Sequence, residues 1–550
     1  MKDVVIIGSG AGGGPLALAL SQAGHQVLVL EKGREYRRQD YVKDEITVMR
    51  RNFFFPALAD EMHTLVEAGA EAPAPTLLGW VGNCVGGGTV AMSGYFIRFH
   101  PDDFRLASRY GAYEAIADWP YSYAELEPYY TRAEWEVGAS GVAGSNPFEG
   151  PRSKPFPLPP LDSHPLSSFL EQACARRELH AFPTPRAIVS QPYQGRHPCI
   201  ACGFCGGFGC QVGAKSSTQA AMLPRAVATG NCEIRPRSMV REITVGPHGR
   251  ANGCIYLDAD GNEQAVQAKV ICVCCSPVES ARLLLLSKSS RFPDGLANDN
   301  GLVGRNLQFH GFSNGQGWFR YDRHPDKSLA DPHPFLERSL MDYYFLPEGV
   351  SDLPKGGLIR FGFPSPGPLA MALRLAEVDG QMLWGQALKD RLREYFHEHR
   401  MVDFEVFHDF IPNAGTYVEL DPTVRDKWGL PVARIHLDNL PHHRKAGGWL
   451  VEKGLEVLAE MGADRLVHEE AGQVAGYLVY GTCRAGKDPE TSVVNAYCQT
   501  HAVPNLFVVD SSFMPTSGGV PPSLTIMANS FRTADHIVAR AQAGDFESVH

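Results

Sequence analysis

The chain has 550 residues, a formal net charge of −10, 44% hydrophobic residues and 20% charged residues. These proportions describe an ordinary globular protein, and the acidic balance argues against nucleic acid or an anionic membrane as a partner. No apolar run reaches the length of about 18 residues that predicts a membrane-spanning helix. Met1 and Lys2 lead directly into an apolar run without a signal peptide. We therefore expect a cytoplasmic protein, or a periplasmic one only if a partner subunit exports it.

Residues 4–33 predict a strand–helix–strand unit that carries a glycine motif. An apolar strand at 4–7 leads into the G-x-G-x-x-G glycines Gly8, Gly10 and Gly13, and a second apolar strand ends in Glu31. In this context the glycines allow a tight turn and the close approach of a pyrophosphate to the helix N-terminus. Glu31 is placed to bind ribose hydroxyls, and its charge argues against a 2′-phosphate. The alternative is an ordinary glycine-rich turn.

The middle of the chain adds a second glycine cluster at 82–89, which could approach an anion or a ring edge or could be a plain loop. A buried strand at 270–274 is followed by a helix from 279. From about residue 314 to 468 the composition becomes α+β, with strand-like runs and one long amphipathic helix at 371–399. The predicted strands there are 343–346, 358–363, 404–410 and 417–420. The chain ends with a strand at 505–510 and a helix at 522–537.

Four cysteines lie within twelve residues: Cys199, Cys202, Cys205 and Cys210. Their spacing is C-x2-C-x2-C-x4-C, and the intervening glycines let the backbone wrap around a ligand. Such spacing is typical of iron–sulfur ligands. Zinc is one alternative, and structural thiols or a disulfide are the other.

Motifs spread over nearly the whole chain resemble the glucose–methanol–choline (GMC) flavoprotein oxidoreductases. They are GSGAGGG with Glu31, VGGGT at 85–89, CCSPVESARLLLLS at 274–287, VGRNLQFH at 303–310 and NLFVVDSSFMPTSGGVPPSLTIMANSFRTADHI at 505–537. The chain is most similar to the cysteine-containing bacterial sugar and gluconate dehydrogenase flavoprotein subunits. The resemblance implies an α/β fold, α+β overall, in two domains. A Rossmann-like FAD-binding domain would be discontinuous (1–110, 212–312 and 469–550), and an antiparallel-sheet substrate or cap domain with helices would comprise 111–211 and 313–468, with the cysteines at 199–210.

The resemblance also implies FAD as the bound dinucleotide and assigns its binding residues. These are Gly8, Gly10, Ala11, Gly12, Gly13, Glu31, Gly86, Gly87, Gly88, Thr89, Ser93, Val240, Asp510 and Pro522. The cysteines would then hold a [3Fe-4S] or [4Fe-4S] cluster with Cys199, Cys202, Cys205 and Cys210 as ligands.

The sequence departs from the family at its catalytic pair. A His in H-x-x-G-T and a His or Asn in N-P-S-L-T are replaced by Leu478 and Pro521, and neither can take a proton. General-base help of that kind is worth roughly 10²–10⁴-fold. Other candidate bases are Tyr480 and His408, followed by Tyr477 and His310. A second possibility is that the substrate group that donates the hydride is acidic enough to lose its proton with little help from a base. A third is chemistry other than alcohol oxidation.

We therefore expect an FAD-dependent dehydrogenase that oxidises a hydroxyl of a sugar, polyol or other alcohol by hydride transfer. Electrons would pass through the cluster to a cytochrome or other acceptor protein, with a small accessory subunit as a further partner. The alternative is a GMC-fold lyase, isomerase or desaturase, because the usual pair is replaced. A third hypothesis is a non-catalytic subunit of a redox complex.

Overall fold

The structure is a computed structural model that describes residues 1–50, 53–364, 367–378 and 380–546. Two seven-stranded sheets, one four-stranded sheet, one two-stranded sheet and the covering helices lie within these ranges, which confirms the predicted mixed α/β fold. No helix within these ranges is both long enough and apolar enough to cross a membrane.

In chain order the strands are β1 (Lys2–Ile7), β2 (Val27–Leu30), β3 (His63–Glu67), β4 (Ala74–Thr76), β5 (Phe182–Pro183), β6 (Cys232–Arg235), β7 (Met239–Val245), β8 (Ala251–Leu257), β9 (Glu263–Val273), β10 (Gln308–Arg320), β11 (Arg338–Leu340), β12 (Gly357–Gly362), β13 (Glu377–Val378), β14 (Gln381–Met382), β15 (His399–His408), β16 (Tyr417–Arg425), β17 (Pro431–Leu437), β18 (Arg465–His468), β19 (Gln473–Tyr480) and β20 (Leu506–Val508). The α-helices are α1 (Gly13–Gln22), α2 (Leu106–Tyr110), α3 (Tyr123–Val137), α4 (Leu166–Arg176), α5 (Thr218–Ala221), α6 (Leu223–Ala228), α7 (Pro277–Leu286), α8 (Pro368–Leu375), α9 (Gly385–Arg393), α10 (Pro441–Glu460) and α11 (Ser523–Gln542).

The first large sheet, called the dinucleotide sheet here, gathers strands from both ends of the chain. Its parallel part has the order β6-β2-β1-β9, β20 also pairs with β9, and β8 and β7 extend it in antiparallel fashion. Val4 of β1 lies in register with Val27 on one side and Val270 on the other. Helices α1 and α11 pack against each other beside it. The buried, β-branched strands are those expected of a sheet covered on both faces.

The second large sheet, called the roof sheet here, is antiparallel in the order β18-β10-β15-β12-β11-β5, with β19 also beside β10. Strand β15 alternates along its length, as a strand with two different faces must. Phe404 and Val406 are fully buried in one apolar cluster together with residues of α10, whereas Asp403 and Glu405 belong to the other face. Helix α10 therefore covers one face of the roof sheet, and the other face is left for a cavity.

A four-stranded sheet, β16-β17-β3-β4, joins two distant parts of the chain. Thr64 of β3 pairs in parallel with Arg434 of β17. Residues 63–76 were predicted in the FAD-binding domain and residues 417–437 in the cap domain, so this sheet crosses the predicted boundary. The predicted domain limits stay a prediction.

Two predicted elements of the cap region are wrong. The single helix expected at 371–399 is divided into α8, the short hairpin β13–β14, α9 and a π-helical turn at Glu394–Glu398. Gly380 and Gly385 have positive φ angles of 73° and 64°, which interrupt a helix. The strand expected at 343–346 is a series of turns, because its aromatic residues pack individually rather than pairing with a strand.

Candidate active site

A cavity of about 630 Å³ lies between the dinucleotide sheet and the roof sheet. Its volume falls within the range of cofactor and ligand sites. One side is lined by residues 7–12 and 30–32 at the ends of β1 and β2, and the opposite side by Arg360, Phe407 and residues 477–479 of the roof. The cavity therefore brings the predicted nucleotide motif and the predicted catalytic segment together.

The first glycine motif packs so tightly that side chains are excluded. Gly8 has φ +99°, and a Cβ there would lie 2.3 Å from the carbonyl oxygen of Cys274. A Cβ on Gly12 would lie 2.7 Å from the Val509 carbonyl oxygen. At Gly13 a Cβ would meet the Gly8 carbonyl oxygen at 2.0 Å, so this glycine permits close strand–helix packing. The glycines of this motif therefore permit the positive φ angle and the close backbone contacts that a dinucleotide-binding fold requires.

The N-terminus of α1 is open toward the cavity. Its N-cap residue is Gly12, which has no side chain that could cap the helix, and no acidic side chain lies in the first turn. The first backbone N–H groups of a helix lack partners within the helix and attract anions. Gly10 faces Gly87 of the second glycine cluster across 3.8 Å, measured from the position a Cβ would take. This cradle fits the pyrophosphate of FAD.

Glu31 connects the two glycine loops through Ser9. One carboxylate oxygen of Glu31 accepts hydrogen bonds from the backbone N–H of Ser9 (3.1 Å) and its hydroxyl (2.6 Å), and the other accepts from the Gly33 N–H (2.8 Å). The Ser9 hydroxyl in turn accepts a hydrogen bond from the backbone N–H of Gly86 at 2.8 Å. Burial raises the pKa of Glu31. The carboxylate lines the cavity at the place predicted for the adenosine ribose.

Asp510 links the C-terminal segment to the turn before α7. Its carboxylate accepts from the backbone N–H of Ser276 at 3.1 Å, from the Ser280 hydroxyl, and from the N–H of Ser512 at 2.8 Å. Burial raises the pKa of this carboxyl group. The predicted flavin-end residue therefore holds these two chain segments together at the wall of the cavity.

The structure places twelve of the fourteen predicted cofactor residues on the cavity lining. These are Gly8, Gly10, Ala11, Gly12, Glu31, Gly87, Gly88, Thr89, Ser93, Val240, Asp510 and Pro522. Gly13 and Gly86 lie behind the lining. They act through packing, and Gly86 also through its N–H bond to Ser9.

The two apolar replacements of the family's catalytic pair are part of the wall. Leu478 of β19 and Pro521 both line the cavity, next to Val479 and Pro522. The hydroxyl of Ser511 donates to the Val479 carbonyl at 2.6 Å and ties β19 to the C-terminal segment. The wall beside the predicted flavin position is therefore apolar at these two positions.

Tyr480, predicted as a catalytic base, lies outside the cavity lining. Its side chain is fully buried, and its hydroxyl contacts Nδ1 of His310 at 2.9 Å. Burial raises the pKa of Tyr480 well above 10 and lowers the pKa of His310 well below 6.5. A phenol held protonated behind the wall does not have the position or the ionisation that a base requires.

His408 is also outside the lining, and the alternation of β15 gives the reason. Asp403, Glu405 and Phe407 face the cavity, so His408 points to the α10 side, where a Cβ on Gly447 would lie 3.1 Å from its Nε2 atom. Burial lowers the pKa of His408 to about 3, which keeps the imidazole neutral. The structure offers neither predicted base to a substrate, and the identity of the base stays open.

Sequence reasoning missed a group of polar residues on the cavity side of the roof. The group consists of Tyr95, Arg186, Arg360, Asp403 and Glu405. Tyr477, a candidate base from the sequence, also lines the cavity, and burial raises its pKa to about 12. Tyr95 donates to Glu405 at 3.1 Å, and Arg186 pairs with Glu337. The available signal was the alternation of charged residues with Phe404, Val406 and Phe407 in a strand-like run, which indicates a polar face in a buried sheet.

The four clustered cysteines do not form a metal site in this structure. Cys199, Cys205 and Cys210 pack against an apolar cluster, Cys205 lines the cavity, and all four are free thiols. Among the described residues, no three or more His, Cys, Asp or Glu side chains come together as a possible metal site. The donor set does not fit a cluster as it stands, and the iron–sulfur assignment stays a prediction.

A buried lysine fastens the cysteine segment to the cavity wall. The ammonium of Lys215, 3% exposed, donates to the backbone carbonyl oxygens of Met92 (2.8 Å), Cys205 (2.6 Å) and Phe208 (2.7 Å). Met92 and Cys205 both line the cavity. Burial lowers the pKa of Lys215 to about 8, which leaves it charged at neutral pH.

Comparison with family models matches three parts of the chain. Two models described as GMC oxidoreductase match residues 62–312 and 412–530, and one described as an FAD binding domain matches residues 3–39. These ranges contain both glycine loops, the first residues of the roof strand β10 and the C-terminal segment that lines the cavity.

Among characterised proteins, the chain is 32% identical to 2-methyl-1,2-propanediol dehydrogenase of Mycolicibacterium austroafricanum, over 98% of this chain and 95% of that protein. It is 30% identical to paromamine 6′-oxidase of Streptomyces fradiae, over 100% and 92% of the two chains. The solved structure of pyridoxine 4-oxidase from Mesorbium loti superposes with a TM-score of 0.61 at 19% identity, covering 98% of this chain and 99% of that one. That superposition shows a shared fold.

Proposed function

This chain belongs to the GMC oxidoreductase family, and from that premise we propose that it is an FAD-dependent dehydrogenase of a hydroxyl-rich small molecule. The observation that carries the proposal is the single cavity in which the glycine cradle of the dinucleotide sheet faces the polar side of the roof sheet. The relatives named 2-methyl-1,2-propanediol dehydrogenase and paromamine 6′-oxidase support oxidation of a small molecule. The first of these names is that of a diol, which supports a hydroxyl group as the site of oxidation.

The chemistry that FAD supplies in this family is acceptance of a hydride from an alcohol carbon. The chain itself contributes binding and orientation. The α1 N-terminus and Gly10 would hold the pyrophosphate, and Glu31 would hold the ribose. Asp510 ties the segment at the predicted flavin end to the turn before α7. Leu478 and Pro521 exclude water from the wall beside that end. Excluding water strengthens the electrostatic interactions that orient a substrate.

The test is anaerobic reduction of the bound flavin by a panel of 1,2-diols, polyols and sugars, each matched with its deoxy analogue. We expect loss of the oxidised flavin absorbance with at least one hydroxylated compound and no loss with its deoxy partner. Failure of every hydroxylated compound to reduce an intact flavin would overturn the proposal.

A second candidate function is a lyase, isomerase or desaturase on the same fold. The specific observation in its favour is that Leu478 and Pro521 line the wall where the family uses a proton acceptor. Conversion of a substrate without net reduction of flavin, followed by product analysis under anaerobic conditions, would support this function over the first.

An electron exit through the cysteine segment is also a proposal. The C-x2-C-x2-C-x4-C spacing and the position of Cys205 on the cavity lining support it, and the unassembled donor set opposes it. Iron and acid-labile sulfide in anaerobically purified protein decide the matter. Stoichiometric iron that is lost in Cys202→Ser would support a cluster and an acceptor protein such as a cytochrome, and iron-free protein would reject it.

A further inference from the structure

The roof side of the cavity contains charged groups whose hydrogen-bonding capacity the chain leaves unfilled. We propose that Arg360, Asp403 and Glu405 form a second subsite that binds an amino alcohol group at the far end of the substrate. The inference rests on the proposed function and names the substrate class for it: an extended, hydroxyl-rich molecule that carries an ammonium group away from the carbon that is oxidised.

The register of the roof strands separates this subsite from the flavin end. Leu358 of β12 pairs with Phe407 of β15, and its N–H donates at 3.1 Å to the Gly519 carbonyl oxygen in the segment that leads to the flavin-end prolines. Asp403 lies four residues before Phe407 on the same strand and face. At about 3.3 Å per residue, the strand places it roughly 13 Å away. A substrate that reaches both places must be longer than one sugar ring.

Arg360 is a buried cation without a hydrogen-bond acceptor. It is 7% exposed, lines the cavity and donates no hydrogen bond to any described residue. The nearest carboxylate oxygens belong to Glu405 at 3.6 Å and Glu337 at 3.7 Å, beyond hydrogen-bond distance. Gly362 makes room for it, because a Cβ there would lie 2.1 Å from a guanidinium nitrogen of Arg360. These two ion pairs and the Tyr95 ring, 4.8 Å from the guanidinium carbon, balance its charge, but its N–H groups make no hydrogen bond. They can therefore donate to an oxygen atom of a ligand.

One carboxylate oxygen of Asp403 lacks a hydrogen-bond donor among the described residues, just as Arg360 lacks a hydrogen-bond acceptor there. Its Oδ1 atom is buried without a partner, and its side chain lines the cavity. Burial, followed by the charge of Glu405, raises the pKa of Asp403 to about 6, while Arg360 opposes the shift. A carboxylate left in this condition is stabilised by a ligand that brings both N–H donors and positive charge.

The local charge balance selects the ligand. The carboxylates outnumber the guanidinium groups by one in the set Arg186, Arg360, Glu337, Asp403 and Glu405. Arg374 also acts on Asp403, but it is paired with Glu469 and so adds no net charge. An ammonium group would cancel the excess at Asp403, and a neighbouring hydroxyl would accept from Arg360 while donating to Glu405. A carboxylate on the ligand would add to the excess. An amino alcohol therefore fits, a neutral diol fits less well, and an acid is disfavoured.

The test uses the flavin-loaded protein and three disaccharides that differ in one substituent: cellobiose, its 2′-amino-2′-deoxy derivative and cellobiouronic acid. Dissociation constants come from the change in flavin absorbance under anaerobic conditions, and flavin reduction is followed in the same titrations. We expect the amino sugar to bind roughly 10- to 100-fold more tightly than cellobiose, as one charge-assisted hydrogen bond predicts, and the acid to bind more weakly.

Asp403→Asn should remove the preference for the amine, so that the variant binds the amino sugar and cellobiose within roughly 3-fold of each other. The matched control is Asp260→Asn, an exposed aspartate in a turn, which should retain the preference. Equal binding of the three sugars, an unchanged preference in Asp403→Asn, or no binding of any sugar would overturn the subsite. Selective binding of the amine would support the subsite whether or not the flavin is reduced. The proposed dehydrogenase would be overturned separately, if no hydroxylated compound of the panel reduced the flavin.

Discussion

Replacing Lys215 by methionine tests whether the three hydrogen bonds of its ammonium group, called the lysine staple here, hold the cavity wall in place. The substitution keeps the length of the side chain and removes its donors. Three backbone carbonyl oxygens, those of Met92, Cys205 and Phe208, then lose the hydrogen bonds they accept at 2.6–2.8 Å. Water cannot replace the donor easily because the lysine side chain is 3% exposed.

The expected size follows from the three lost bonds. Leaving a buried carbonyl oxygen unpaired costs at least about 1 kcal/mol, so the variant should lose about 3 kcal/mol of local stability. Met92 and Cys205 line the cavity, so binding FAD requires the wall that the staple organises. If the whole loss of about 3 kcal/mol weakens the free energy of FAD binding, the dissociation constant for FAD rises roughly 100-fold.

The assay is titration of the apoprotein with FAD, together with thermal unfolding of the loaded protein. Lys389→Met is the matched control, because Lys389 is exposed on α9. The control should bind FAD as the wild type does. An FAD dissociation constant for Lys215→Met within roughly 3-fold of wild type, with unchanged thermal stability, would refute the staple.

Three further outcomes are expected. Tyr480→Phe should change the rate of flavin reduction less than roughly 3-fold, measured by stopped flow, because the phenol lies outside the cavity lining; a loss of 100-fold or more would restore it as a base. Gly12→Ala should yield protein without flavin absorbance, because the new methyl would lie 2.7 Å from the Val509 carbonyl oxygen, whereas Gly448→Ala, with nothing closer than 4.0 Å, should retain flavin. The amine preference in sugar binding should be present at neutral pH, where both the ammonium group and Asp403 are charged, and decline as the pH falls through about 6, where the Asp403 carboxylate gains a proton; a preference unchanged between pH 5 and pH 7 would contradict this assignment.

The cofactor half of the site was predictable because its signals are local. The strand, the glycines and Glu31 lie within some thirty residues, and each residue type has one physical task in that arrangement. The structure places Gly8, Gly12 and Glu31 where the pattern predicts them.

The substrate half was predicted less well because it depends on which face of a strand meets the cavity. His408 was selected for its chemistry, yet a one-residue step along β15 puts it on the opposite face from Glu405. The polar wall is also assembled from strands distant in sequence, with Arg360 opposite Glu405 across β12 and β15. A single sequence does not encode such pairings in any short pattern.

The dinucleotide sheet can be completed only late in translation, because its neighbouring strands come from distant parts of the chain. β1 emerges from the ribosome first, yet its neighbour β9 begins at Glu263, and β20 and α11 come almost last. At 5–20 residues per second, translation separates β1 from β20 by roughly 25–100 s. Until residues 263–273 are made, the apolar strand Lys2–Ile7 lacks its partner β9, and until the end of the interval β9 lacks its neighbour β20. The nascent chain should therefore depend on chaperones that shield its N-terminus, and it should acquire FAD only after release.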